Sequence, residues 1–287
     1  MVFELFAQTI VNGLLIGFLL GLAAMGLTLI FGIMRIFNIA SGDMIILGCY
    51  ALFWLVTIFS IDPMIGLPVV ALVGAAVGIG VYYSLIKAIV LTPGLRSLLT
   101  LFGLSGVVAN SMLLAWAPLT RGVPVFYPIM EFGDVTFAGN KVLASVFAVA
   151  TTITILTILK WTNFGRSIRA TVSDWRAASL MGINVDRMYA YGFAIGVALT
   201  VFAGGLISLV YPFEPYAGLS YTLYSFCIVI LGTLGNPVGC LVGGLVIGLA
   251  MSFTGSYWTQ GMSPAVAYLI LVITFLLKPE GLFGKKG

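Results

Sequence analysis

Long apolar blocks, nearly free of charge, succeed one another along the chain and are separated by short polar stretches. Blocks of this kind read as membrane-crossing helices, since roughly 20 apolar residues are needed to cross a hydrocarbon core of ~30 Å. The first, Phe6 to Phe31, carries Gln8, Asn12 and Thr28. Met44 to Phe59, Met64 to Ile86, Leu98 to Trp116, Val142 to Leu159, Met188 to Val210 and Val238 to Phe253 follow, and Ala265 to Leu277 ends the series. Leu219 to Leu231 is short for a crossing, at about 20 Å of helix. The expected fold is all-α: a polytopic helical membrane bundle of eight or nine spans, with two broken or re-entrant segments. One integral membrane domain is expected over residues 1–287.

The two breaks are where the apolar pattern fails without giving way to loop composition. GIMRIFNIASGDMIILG places Arg35, Asn38, Ser41, Gly42 and Asp43 between two apolar blocks, and reads either as a tight turn or as a helix broken at membrane depth. LGTLGNPVGC brings Gly232, Gly235, Asn236 and Pro237 together, a composition that cannot sustain a regular helix. In lipid, non-helical backbone is tolerated only where protein buries it or water fills a cavity. Asn38, Ser41, Gly42, Asp43, Gly232, Gly235 and Asn236 are therefore the candidate pathway residues, with packing kinks and helix caps as the structural reading. For Asp43 that reading is a first-turn dipole partner or a salt bridge to Arg35.

Residues 161–189 form the one long polar stretch, with Arg166, Arg169, Arg176 and Arg187. Ser173 is the expected cap of a short helix carrying Asp174 in its first turn, and Gly182 the expected left-handed close. Asn184 or Asp186 then caps the next span. The outcome is a helix, a corner and another helix. A helix so short is marginal in water and needs a partner surface. Between Trp116 and Val142 lies a segment with three prolines and two acids that suits an external loop.

Composition agrees with the pattern: 61% hydrophobic, 8% charged and a mean hydropathy of +1.17 exclude an ordinary soluble domain, where charge runs at roughly 25%. Placing residues 161–189 in the cytoplasm also puts Arg35, Lys87, Arg96, Lys160, Lys278, Lys285 and Lys286 there, and leaves only Arg121 and Lys141 outside. The positive-inside rule then predicts an external amino terminus and a cytoplasmic carboxyl terminus. MVFELFAQTI lacks the basic region of a signal peptide, so the first span is expected to be retained. Cys49, Cys227 and Cys240 lie in apolar blocks and read as small buried hydrophobes, not as a disulfide or metal framework. The net charge of +4 is an orientation signal and implies no nucleic-acid partner.

Absences narrow the function. Away from Arg35 to Asp43 the spans carry none of the ionisable groups that a proton- or sodium-coupled carrier needs, and no GxxxxGK[ST] occurs, so the chain has no nucleotide site and no enzymatic role of its own. A polytopic protein with one helix-corner-helix presented to the cytoplasm fits the membrane half of an ATP-driven, multi-subunit transporter. A passive small-solute channel is the reading from another class.

GLTLIFGIMRIFNIASGDMIILG, FGRSIRATVSDWRAASLMGINVDRMYA, VILGTLGNPVGCLVGGLVIGL and the ending LLKPEGLFG, in this order and spacing, resemble the LivH-type permease subunits of bacterial branched-chain amino acid ABC importers. The resemblance covers essentially the whole chain. It implies a multi-pass protein of the bacterial inner membrane, set in lipid. The implied partners are a second homologous permease subunit, two cytoplasmic ATPase subunits that bind ATP and Mg, and an external solute-binding protein. The implied cargo is a branched-chain or other apolar or neutral amino acid, with urea and short amides among the substrates of relatives. The polar stretch is also similar to the EAA-x3-G loop by which importer permeases dock on their ATPase. Ala177, Ala178 and Gly182 are in matching positions, with Asp174, Arg176, Leu180 and Met181 completing the docking helix. Two departures stand out: Arg176 where that loop has an acid, and Ser41 where the family pattern has histidine.

Overall fold

The computed structural model describes residues 2–90, 94–124, 128–132, 135–278 and 281–284. Its helices follow the apolar blocks closely. Helix α1 runs Val2–Met34, α2 Ser41–Phe59 and α3 Pro63–Val81, the last continuing through a π turn at Tyr82–Ile86 into α4, Lys87–Ile89. Helix α5 is Leu95–Trp116, α6 Gly139–Trp161, α7 Asn163–Ser173, α8 Trp175–Leu180 and α9 Val185–Ser208. A 3-10 turn at Pro215–Ala217 leads into α10, Gly218–Leu231; α11 is Pro237–Tyr257 and α12 Ser263–Leu277. Among the described residues eight helical stretches are long and apolar enough to cross a membrane, and the stretch Pro215–Leu231 is shorter. The segment expected as an external loop contains a small antiparallel hairpin, β1 (Ile129–Phe132) and β2 (Val135–Ala138), with Ile129 opposite Ala138.

Helix ends form where the sequence supplies a cap. Asp62 accepts the Met64 amide at 2.8 Å and Pro63 opens α3, a position where a missing N–H costs nothing. Glycine sets how closely the helices cross. Gly244 and Gly248 on α11 meet the backbone of α1 at Gly17 and Gly21. Gly48 of α2 lies against the Val201 carbonyl of α9, and Gly204 of α9 against the Ile45 carbonyl of α2, so a β-carbon at either place would collide with backbone. Cys49 Sγ, donating to Gly204 O at 3.1 Å, occupies the same crossing.

Helix α9 is the centre of the bundle, packed by α1, α2 and α3. In its most apolar window 83% of residues are buried, against 11% in α5, which therefore lies at the periphery. Helix α1 runs antiparallel to α9 and α11. At one end Asn140 Nδ2 donates to Leu209 O at 2.7 Å, Ser145 Oγ to Leu15 O at 3.0 Å and Ser252 Oγ to Thr9 O at 2.7 Å. This is the hairpin end, closed by paired backbone between Arg121 and Phe213. At the other end Lys87 pairs with Asp186 at 2.9 Å, and Gly235 packs on Gly32 beside α7.

Candidate functional site

The first break is a buried junction. After Met34 the chain turns at Arg35, which adopts φ 56°, and runs irregularly to Ala40. Arg35 and Phe37 are exposed, but Asn38, Ser41 and Asp43 are 1%, 0% and 4% exposed, so the chain passes here from the surface into the interior. Thr222 of α10 holds it: its hydroxyl accepts the Gly42 amide at 3.0 Å and donates to Ile39 O at 3.1 Å. Gly42 has no room for a side chain because the Gly218 carbonyl and Thr222 fill the place. The Asp43 carboxylate, in the first turn of α2, sits where a Gly218 side chain would be and accepts a short hydrogen bond from Ser105 Oγ of α5. Two helix N-termini, those of α2 and α10, thus converge on one carboxylate. Among the described residues Asp43 makes no ion pair with Arg35. Asn38 and Ser41 do not cap α2 with their side chains; Asn38 Oδ1 and Ser41 Oγ are buried without a hydrogen-bond partner among the described residues.

The second break is a turn. Thr233 and Gly235 take positive φ, 74° and 80°, and Gly232 and Gly239 meet backbone to backbone. Asn236 caps α11, accepting the Val238 and Gly239 amides at 3.2 Å each. Leu282 N donates to Leu231 O at 2.8 Å, which ties the C-terminal segment to the same corner. The structure therefore gathers Asn38, Ser41, Gly42 and Asp43 at the start of α10. It leaves Gly232, Gly235 and Asn236 at the opposite end of that helix, about 20 Å away at ~1.5 Å per residue. Ser105, Gly218 and Thr222 complete the first group and were not singled out from sequence.

The polar stretch 161–189 is more ordered than expected. Thr162 accepts the Gly165 amide at 3.1 Å and caps an additional helix, α7, whose buried side is Gly165, Ile168 and Thr171. The cap of α8 is Asp174, not Ser173: its carboxylate accepts the Arg176 and Ala177 amides at 2.8 and 3.2 Å. An aspartate in extended conformation reaches two amides, whereas Ser173 is consumed as the last residue of α7. Gly182, at φ 83°, closes α8 as the Schellman arrangement requires, with Gly182 N on Ser179 O and Ile183 N on Ala178 O, both at 3.1 Å. Asn184 caps α9 through the Arg187 amide at 3.1 Å. Ala178 turns inward and Ala177 outward. Leu180 and Met181 are 90% and 84% exposed, and the Arg176 guanidinium lies 5.2 Å from the Trp175 ring centre. The corner thus presents an apolar tip with a cation beside it.

Two hollows flank α1. At the hairpin end a cavity of about 390 Å³ lies beside Lys141, Asn12 and Tyr211, the last with its phenol pushed up to about 12 by burial. At the α7–α8 end a cleft of about 690 Å³ lies between α1, α6, α7 and the α10–α11 turn.

The model of the family described as branched-chain amino acid transport system / permease component matches residues 9–277. The chain belongs to this family. It is 29% identical to the high-affinity branched-chain amino acid transport system permease protein LivH of Escherichia coli (strain K12), over 99% of this chain and 97% of that protein. To the corresponding permease BraD of Pseudomonas aeruginosa it is 28% identical, over 98% and 96%. A solved structure titled PsaBC from Streptococcus pneumoniae in complex with Fab superposes with a TM-score of 0.53 at 14% identity, over 99% of this chain and 98% of that one, and shows the same fold. The chain is accordingly a multi-pass membrane permease component, with eight apolar helices of spanning length among its described residues.

Proposed function

We propose that this chain is the membrane-spanning subunit of an ATP-binding-cassette importer and translocates amino acids, branched-chain or otherwise apolar or neutral, delivered by an external solute-binding protein. The observation that carries the reading is the α7–α8 corner. It is a rigidly capped short helix whose apolar tip, Leu180 and Met181, is almost fully exposed, and such a surface calls for a partner. That partner is a cytoplasmic ATPase, two copies of which bind ATP and Mg and hydrolyse it for the pair formed by this chain and a second homologous permease. Displacement of α8 reaches α9 through the Asn184 cap, and α9 carries it to α2 at the Gly48–Gly204 crossing. The α7–α8 end is then cytoplasmic, with the amino terminus outside and the carboxyl terminus inside a bacterial cell membrane, and residues 1–287 act as one permease domain.

The path follows α10, from the junction of Asn38, Ser41, Gly42 and Asp43 to the turn of Gly232, Gly235 and Asn236. Unpartnered oxygens on Asn38 and Ser41 and the lone pairs left on Asp43 suit a passing ammonium, and the helix N-termini suit a carboxylate. Such contacts are weak, as befits cargo handed on rather than held. Urea or a short amide is the second reading for the cargo, favoured by the small Ser41 where the family pattern has histidine. Purification in mild detergent with identification of accompanying subunits tests the assignment: an ATPase is expected with the wild-type chain, and its absence from a well-folded preparation contradicts the importer reading.

A further inference from the structure

The cleft of about 690 Å³ at the α7–α8 end is walled by Leu29 and Ile33 of α1, Leu156 and Leu159 of α6, and Ile168 and Val172 of α7. Two exposed cations, Lys160 and Arg169, also line it, as do Gly235, Pro237 and Val238 at the α10–α11 turn; among the described residues no carboxylate does. The nearest acid along the chain, Asp174, is held as the cap of α8. Arg169 lies over the end of α6, donating to the carbonyls of Leu159 and Lys160; with five N–H groups on the guanidinium, donors are left over.

The position of this pair relative to the bilayer follows from α6. Lys141 and Lys160 stand about 28 Å apart along its axis at ~1.5 Å per residue, close to the ~30 Å of a hydrocarbon core. Trp161, 74% exposed with the Lys160 ammonium 5.7 Å from its ring centre, is the kind of residue that sits at headgroup level. Below that level the cleft wall is hydrocarbon-like; at that level it is cationic. Basic pockets between membrane helices with this division suit an anionic headgroup and its acyl chain together.

We propose that this cleft binds one anionic phospholipid, its phosphate between Lys160 and Arg169 and an acyl chain against Leu29, Leu156 and Ile168. The lipid would then fill the space between the α6–α7 corner and the α10–α11 turn. Native mass spectrometry of the purified full chain, with phosphatidylglycerol or phosphatidylcholine of identical acyl chains, tests it. Phosphatidylglycerol should be preferred, and the preference should fall about fivefold for each cation removed, in Lys160→Gln and in Lys160→Gln/Arg169→Gln. Lys160→Gln is the decisive single variant, because among the described residues its side chain makes only the ring contact and the melting temperature should not move. Leu156→Trp should reduce occupancy by both lipids. Inorganic phosphate at millimolar concentration should leave lipid bound; displacement by it would assign the cations to a free anion and overturn the proposal. Equal binding of the two lipids, an unchanged preference in the double variant, or loss of the lipid when an ATPase subunit is co-purified would overturn it as well.

Discussion

At the scale of single residues, the junction at the start of α10 is defined by what has no room to grow. Replacing Gly42 by alanine drives a methyl group into the Gly218 carbonyl and Thr222, and overpacking of that kind costs about 1–3 kcal/mol. Thermal unfolding in detergent should show Gly42→Ala well below wild type, while Gly103→Ala, with open space around it, should match wild type or exceed it. Ser41 tests the path: Ser41→Leu should abolish uptake yet leave assembly with the ATPase intact. Thr154→Leu, at an exposed position where the hydroxyl serves only Ala150 O, should leave both uptake and assembly at the wild-type level. Uptake at the wild-type level by Ser41→Leu would remove the junction from the path. The polar cluster Asn38 to Asp43 was legible because polar residues interrupt apolar blocks without loop composition. Ser105 and Thr222 were not. A lone hydroxyl in an apolar run gives the same signal whether it reaches another helix, as they do, or merely serves its own, as Thr154 and Thr157 do.

At the scale of elements, most helices begin and end within a few residues of the apolar blocks, since the hydrophobic length of a span fixes both ends together. Helix α7 escaped because its charges dominate the composition, although Phe164, Ile168 and Val172 recur every four residues along one side. The hairpin escaped because proline and glycine set the reading of its segment; residues 133–134 lie outside the described residues. The α8 corner depends on Gly182 at φ 83°, a conformation that costs a β-branched residue upward of ~1–2 kcal/mol. Gly182→Val should therefore insert normally yet hydrolyse ATP, in complex with its partners, without transport. Transport coupled as in wild type would show that the Schellman close plays no part in docking. Thr171, buried on α7, is a poor probe of topology; Leu180 and Leu119, exposed at the two ends, are good ones. In a cysteine-free background an impermeant reagent applied to intact cells should label Leu119→Cys and spare Leu180→Cys, and the reverse pattern would invert the orientation.

At the scale of the whole molecule, a central helix links the α7–α8 corner to α2 next to the buried junction. Helix α9 starts three residues after Gly182 and crosses α2 beyond the bundle's midpoint, at Gly204, so that corner and junction are joined by one continuous rod. A passive channel needs no such rod and no exposed apolar corner. An importer needs both, along with energy from outside the chain. The distinction lies in the dependence of flux on ATP. Uptake of radiolabelled leucine into proteoliposomes holding this permease with its co-purified subunits and binding protein, with ATP supplied on the α8 side, measures it directly. Accumulation above the external concentration that ceases when ATP or the binding protein is withheld is the predicted result; leucine equilibrating at the same rate without ATP would contradict it.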